Sequence, residues 1–391
     1  MGSETEAVSE QEEKQYVMKR ILIFGMTEVA GGVESFLMNY YRHIDRKQLQ
    51  FDFLCNSHNP IAYEDEILAM GGRTYHITAR SKNYFQYHKE LTTFFKEDGC
   101  NYDVIWVNVN SLANIDYLKM AKKYGIHRRI IHSHNSLNMD SGLRGLLHKY
   151  NKNRIQKYAT DFWACSKSAA EWFYPKYLKH EIYLINDSID VEKMSFSVEN
   201  RERIRKQLFE NKIPVKAYIV GNVGRLHFQK NQKFVIEVFF ELVKKIPEAE
   251  LLLIGKGPDE MMLKEYVNHL HLEDKVHFLG EQHNIQDWLS AMDLFLFPSL
   301  FEGFGMAALE AEANGLPVLM SEEASSSELN LNDYFHVISI KAPIAEWVDE
   351  IIKVKRTQYR VPYERIREEF KRHGFDVIVE ADKLERKLME D

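Results

Sequence analysis

Cysteine is scarce in this sequence: Cys55, Cys100 and Cys165 are the three among 391 residues, and no two have C-x-x-C spacing. Their number and placement argue against a disulfide scaffold or a cysteine-built zinc framework, and suit reduced thiols in a cytoplasmic protein. Long apolar runs are lacking as well. None approaches the roughly 18 residues of a membrane-spanning helix. Excess positive charge is also missing, since the formal net charge is −7, which gives no support for a general nucleic-acid binder. Residues Met1 to Tyr16 are acidic and polar, unlike a basic-then-apolar signal peptide. Segment 1–18 reads as a disordered tail or a leftover of expression, with Met18 as a natural start. No internal repeat of fixed short period is visible.

What is present suffices for large cores. Hydrophobic residues make up 45% and aromatics 12%, and 391 residues exceed the size at which one core stops growing. Two domains are therefore expected. Apolar runs of strand type recur at 19–25, 51–55, 73–77, 104–107, 129–132, 161–166 and 182–185, with helical patterns such as 84–95 and 115–124 between several of them. A second alternation starts at 217–220 and continues through 251–254, 276–280 and 293–297. Such alternation implies doubly wound α/β domains, whose ligands collect beyond the carboxyl ends of the strands. The domain boundary falls between Asp190 and Pro214, where Val198 to Asn211 reads as a charged helix stopped by Pro214, and the chain from about Ala345 is helix-rich and charged.

Candidate site segments stand at those strand ends. Thr27-Glu28-Val29-Ala30-Gly31-Gly32-Val33-Glu34 leads from a strand into a helical pattern, but its spacing is neither G-x-G-x-x-G nor a P-loop. Glycine in such a turn is often purely structural. In His132-Ser133-His134-Asn135, His134 has three open readings: contact with a ligand, a structural role, or a metal pair with His132 on the same strand face. No nearby Cys/His cluster completes a zinc set. Arg225 and Lys230 lie in the loop after 217–220, where a forked and a point cation suit a diphosphate, although two cations in a loop are commonplace. Gly255-Lys256-Gly257-Pro258 is a turn without the third glycine of a dinucleotide fingerprint.

The stretch Phe297 to Ala311 is the most informative. It reads as strand end, glycine loop and short helix, capped by Gly315 and stopped by Pro317. Gly303 and Gly305 let the backbone approach a ligand and leave helix N–H groups aimed at it, which suits phosphate or sugar hydroxyls. Glu302 and Glu310 can face one cleft and accept hydrogen bonds from vicinal hydroxyls; a helix cap beside one solvated glutamate is the bland alternative. Segment Leu143–Tyr158 sets Leu143, Leu146, Leu147 and Tyr150 at helical spacing among Arg144, Lys149, Lys152, Arg154 and Lys157. The simpler expectation turns its apolar stripe into the core. The other lays it against anionic lipid.

In their joint order these motifs resemble the retaining glycosyltransferases of family 4, over nearly the whole chain: Gly31-Gly32-Val33-Glu34, His132-Ser133-His134-Asn135, Val223-Gly224-Arg225-Leu226 with Lys230-Asn231, Gly255-Lys256-Gly257-Pro258, and Pro298 to Ala311. The resemblance implies an α/β GT-B fold, with two facing Rossmann-like domains, a cleft between them, and C-terminal helices crossing back to the N-terminal domain. On that pattern 19–195 is the acceptor domain, 196–214 a linker region, 215–360 the nucleotide-sugar donor domain, and 361–391 helices packing back on the N-terminal domain. His132-Ser133-His134-Asn135, Gly71-Gly72 after an acidic helix, and Arg372 to Val377 resemble the exopolysaccharide and capsule branch. One departure is Ile185-Asn186-Asp187-Ser188-Ile189-Asp190, where the family usually has Pro-Asn-Gly-Ile-Asp. It bears on the geometry of the linker.

The resemblance further implies transfer of a sugar, with retention, from a nucleoside-diphosphate sugar to a hydroxyl acceptor, with a UDP-sugar favoured as donor and no cofactor. Arg225 and Lys230 would bind the diphosphate with help from the Gly32 backbone, and Glu310 the ribose hydroxyls. Glu302 and the amides of Gly303, Phe304, Gly305 and Met306 would grip the donor sugar, the backbone near Gln282 would touch the base, and His134 would sit beside the reacting carbon. His134 and Glu302 are the candidate catalytic residues. Glu302 is the carboxylate available for a double displacement; front-face substitution, in which the leaving phosphate takes the acceptor proton, leaves it as a binder. No D-x-D occurs, which fits a mechanism without metal. A lipid-linked saccharide as acceptor implies peripheral contact of Leu143–Tyr158 with an anionic membrane at the inner face. Two other functions keep the fold: a nucleotide-sugar epimerase, and a GT-B-like partner subunit of another transferase.

Overall fold

A computed structural model describes residues 18–135, 142–210, 213–282, 284–302, 304–325, 329–332, 334–357 and 360–390. Within them, short runs rich in Val, Ile, Leu and aromatics form thirteen strands: β1 (Lys19–Phe24), β2 (Leu49–Cys55), β3 (Thr74–His76), β4 (Val104–Val109), β5 (Arg128–Ser133), β6 (Asp161–Ala164), β7 (Ile182–Leu184), β8 (Tyr218–Val223), β9 (Ala249–Ile254), β10 (Val276–Gly280), β11 (Leu294–Phe297), β12 (Val318–Ser321) and β13 (Phe335–Ile338). Parallel strands covered by helices on both faces lose the alternation of apolar and polar residues. Accordingly every residue of β2, β9, β11 and β12 is buried.

Two parallel sheets result. The first runs β3-β2-β1-β4-β5-β6-β7 and the second β10-β9-β8-β11-β12-β13. In each, the first strand is central, and the strand order reverses between it and the fourth. The crevice outside the carboxyl ends at that reversal is where open α/β sheets hold ligands. The loops after β1, β4, β8 and β11 are therefore the ones to inspect, together with the end of β5.

Segment 196–214, expected as a linker region, carries the expected helix as Val198–Glu210, but that helix is part of the second domain. Ile204 and Leu208 enter that domain's core. Arg201 and Arg205 reach Asp293 at 2.6 and 2.7 Å, just before β11. The C-terminal helices also divide. Val377–Met389 crosses to the first domain, burying Val377, Ala381, Leu384 and Leu388 with the helix Gly32–His43. Tyr363–His373, expected to do the same, keeps Ile366 and Phe370 in the core of the second domain.

Between the domains two crossings run side by side. Ile189 bridges Asp376 in parallel, and Ile189 N–H donates to Phe375 O at 3.0 Å. The departure at 185–190 has a use here. Asn186 Nδ2 donates to the carbonyls of His373 and Gly374, both at 3.0 Å, and Ser188 Oγ to Gly374 O at 3.1 Å. Tyr40 and Asn39, from the helix Gly32–His43, donate to the carbonyls of Asn186 and Ser188 at 2.8 and 3.0 Å. The expectations for the segment before Met18 and for Gly303 lie outside the described residues.

Candidate active site

The second domain gathers charge. Its loop after β8 rests on the 255–258 turn, backbone against backbone: a Cβ on Gly255 would lie 2.1 Å from Gly224 O, and one on Gly257 2.1 Å from Leu226 O. Only glycine permits that approach, so this turn supports the loop bearing Arg225. Hydrogen bonds join the loops after β8 and β11. Leu300 N donates to Gln229 O at 2.8 Å, Gln229 Nε2 to Phe301 O at 3.0 Å, and Asn231 Nδ2 to Pro298 O at 3.1 Å.

That joining brings Lys230 Nζ within 2.7 Å of Glu302 Oε1, and 4.8 Å from the centre of the Phe297 ring. An ammonium has three hydrogens, so the pairing leaves two for another acceptor. Arg225 is exposed and makes no ion pair among the described residues. Glu310 stands half-buried in the helix Met306–Ala313. Desolvation pushes its pKa up to about 7, while Lys230 draws it the other way. Its carboxylate makes no hydrogen bond among the described residues. Gly305 begins this helix at φ 101 without a side-chain cap, so the first amides, starting at Met306, keep unsatisfied N–H groups.

Not every expected residue points at the site. The Phe304 ring is core, 5.2 Å from Phe375; only its backbone remains for a ligand. Gln282 folds its side chain onto its own strand end, with Nε2 donating to Leu279 O at 2.7 Å. It too offers only backbone.

The first domain gathers rings instead. Gly31 caps the helix Gly32–His43 without a side-chain bond, and a Cβ on Gly32 would meet nothing within 4 Å. Thr27 N and Oγ1 donate to Glu34 Oε1 at 3.0 and 2.7 Å and fold the loop before it. Phe36, fully buried on this helix, covers the ends of β4 and β5: it lies 5.0 Å from His134, 5.2 Å from His132 and 5.8 Å from Trp106. His134 keeps a partly exposed edge, but burial pushes its pKa down to about 3. His132, 4.1 Å away between centroids, is wholly buried, with both ring nitrogens unpartnered among the described residues and its pKa pushed well down, first by burial and then by His134.

The two rings are close enough to suggest the metal pair. Among the described residues no group of three or more His, Cys, Asp or Glu side chains comes together that would extend it. Sequence reasoning missed Asn108. Its Oδ1 lies 2.9 Å from His134 Nε2, and the available signal was a single polar residue in the run Val104-Ile105-Trp106-Val107-Asn108-Val109.

The helix Gly142–Lys152 overturns the simpler expectation for its stripe. Leu143 is 71% exposed, Leu146 65% and Tyr150 55%. The inward face is polar: His148 Nδ1 accepts from Leu112 N at 3.1 Å, and Asn151 Nδ2 donates to Leu112 O at 2.6 Å. Those two anchors orient the helix. Among the described residues, no helix is long and apolar enough to cross a membrane.

Several known proteins resemble this chain. Residues 203–373 match the family model described as glycosyl transferases group 1. The putative glycosyltransferase EpsF of Bacillus subtilis is 27% identical over 369 residues, covering 92% of this chain and 93% of that one. An Escherichia coli UDP-Gal:alpha-D-GlcNAc-diphosphoundecaprenol alpha-1,3-galactosyltransferase is 25% identical over 208 residues, 52% of this chain and 53% of its own. The crystal structure of Anabaena Alr3699/HepE in complex with UDP and glucose superposes with a TM-score of 0.77 at 18% identity, covering 95% of this chain and 99% of that chain. The fold is GT-B, with two parallel-sheet Rossmann-like domains. The family match and the relatives support a glycosyltransferase.

Proposed function

We propose that this chain moves a sugar, with retention, from a nucleoside-diphosphate sugar to a hydroxyl of a lipid-linked saccharide in exopolysaccharide or capsule synthesis. The observation that carries the reading is the cluster around Lys230. One cation paired to Glu302, a second left exposed at Arg225, an uncapped helix start and a desolvated carboxylate at Glu310 match a diphosphate flanked by hydroxylated rings. The UDP complex of HepE and the UDP-Gal donor of the E. coli relative favour UDP as the nucleotide. No cofactor and no metal enter this scheme. Arg225, Lys230 and the positive end of the helix at Met306 stabilise the leaving phosphate.

A neutral His134 supports front-face substitution. A base with a pKa near 3 takes few protons at pH 7, so the acceptor proton goes to the leaving phosphate, and His134 serves as a contact to the sugar. Glu302, held by Lys230, serves as a binder and not as a nucleophile. The outward stripe of Gly142–Lys152, flanked by exposed Lys149, Arg154 and Lys157, suits the headgroup region of an anionic bilayer, where a lipid-linked acceptor resides.

Calorimetric titration with UDP, GDP and ADP tests the donor, UDP being expected to bind. NMR of the first-formed product tests the stereochemistry: the donor's anomeric configuration is expected to persist, and inversion would overturn the mechanism. Activity is expected to survive EDTA.

A further inference from the structure

Resting on the reading of His134 as a sugar contact, we propose that Asn108 is a positioning residue that holds His134 as the Nε2-protonated tautomer, so that an unprotonated Nδ1 is offered to a sugar hydroxyl. The register of the first sheet makes the arrangement. β4 and β5 are parallel with Asn108 opposite His132, which puts Trp106, Asn108, His132 and His134 on one face under Phe36. Asn108 is 2% exposed. Its Nδ2 lies 3.3 Å from Trp106 O, an atom that only accepts. The atom turned toward His134 Nε2, at 2.9 Å, is therefore Oδ1, which also only accepts.

A ring nitrogen facing an acceptor must carry the proton. Neutral imidazole has one proton to place, so Nδ1 keeps its lone pair. Nδ1 makes no hydrogen bond among the described residues. Among the described residues, nothing facing the ring opposes this assignment. The helix Gly32–His43 presents Phe36, β4 presents Trp106 and Asn108, and the titratable neighbour is His132, whose own nitrogens are unpartnered. Glu34 on that helix is engaged by Thr27. Asn108 itself is braced, because Gly25 at φ 135 fits so tightly that a Cβ there would lie 2.4 Å from Asn108 O and 2.8 Å from Asn108 Cβ. Burial, which disfavours imidazolium, works in the same direction.

Two-bond 1H–15N spectra of the full chain with labelled histidine, recorded from pH 5 to 8 and assigned by the signal missing in His134→Gln, read the tautomer directly. The wild type is expected to show Nε2–H without titration. Asn108→Asp places a carboxylate where the amide oxygen was, and is expected to bring imidazolium into this range and add a pH-dependent limb to kcat, while Asn108→Leu mixes the tautomers. Nδ1–H in the wild type, or titration near 6.5, would overturn the proposal, and the wild-type spectrum decides it even if the variants fail to fold. UDP titration on the same samples separates the two ideas. Absent UDP binding with an Nε2–H spectrum sinks the donor reading and leaves the tautomer standing.

Discussion

Both domains mount their candidate residues at the reversal of strand order in a parallel sheet, yet they furnish those positions differently. The second domain supplies Arg225, Lys230, Glu302 and Glu310. The first supplies Phe36, His132, His134 and Asn108, a set without formal charge at neutral pH. Charge and helix amides suit the end of a substrate that carries phosphate and ribose. A neutral, desolvated wall suits the end where a sugar changes partners, since water kept out there cannot compete as acceptor. Fold symmetry thus does not imply symmetry of task.

The largest expected effect breaks the charged half. Lys230→Ala removes the cation paired with the Glu302 carboxylate, whose side chain is 7% exposed, a loss of about 3–5 kcal/mol for a buried pair. Urea denaturation should show it, and UDP affinity should fall roughly 100-fold, the worth of about 2.7 kcal/mol. The double variant Lys230→Met with Glu302→Gln should recover stability and not UDP affinity. Recovery of both would mean that the pair is structural alone. Phe36→Ala strikes the ring half: a loss of about 3–5 kcal/mol, with a smaller change in UDP affinity than Lys230→Ala produces.

Glu310 sharpens the contrast through pH. Its folded pKa is raised from 4.5 to about 7, so its contribution to stability is full below the unfolded value, falls as pH rises between the two, and is flat above. On the proposed reading ribose hydroxyls donate to the charged form, so UDP should bind more tightly as pH rises toward 7 and level off beyond it. Glu310→Gln should remove that slope and weaken binding by roughly tenfold or more, the scale of one hydrogen bond to a charged group at about 1.5–3 kcal/mol. An unchanged slope would put the titrating group elsewhere. Leu146→Ser is the mildest change. It should leave stability within about 0.5 kcal/mol and still reduce sedimentation with vesicles containing phosphatidylglycerol.

Strands were the legible part of this chain, because parallel strands covered on both faces write themselves as uninterrupted apolar runs. The strand-end placement of His134, Arg225 and Glu302 followed from that. Three features did not follow. Val198–Glu210 reads as a charged helix, but its attachment to the second domain does not, because the partner of Arg201 and Arg205, Asp293, lies 92 residues beyond Arg201. The helix Gly142–Lys152 advertises an apolar face, but periodicity does not say whether protein or solvent covers it; His148 and Asn151 decide that by bonding Leu112. Asn108 carries no spacing signal, because its role depends on register with β5.

Arg225 offers the most direct test of the donor site. It is exposed and makes no ion pair among the described residues, so its removal should not disturb folding. Calorimetric titration of UDP into Arg225→Ala, beside a melting curve, is expected to show a Kd at least tenfold above that of the wild type with an unchanged Tm. Wild-type affinity in that variant would contradict a diphosphate site on the loop after β8.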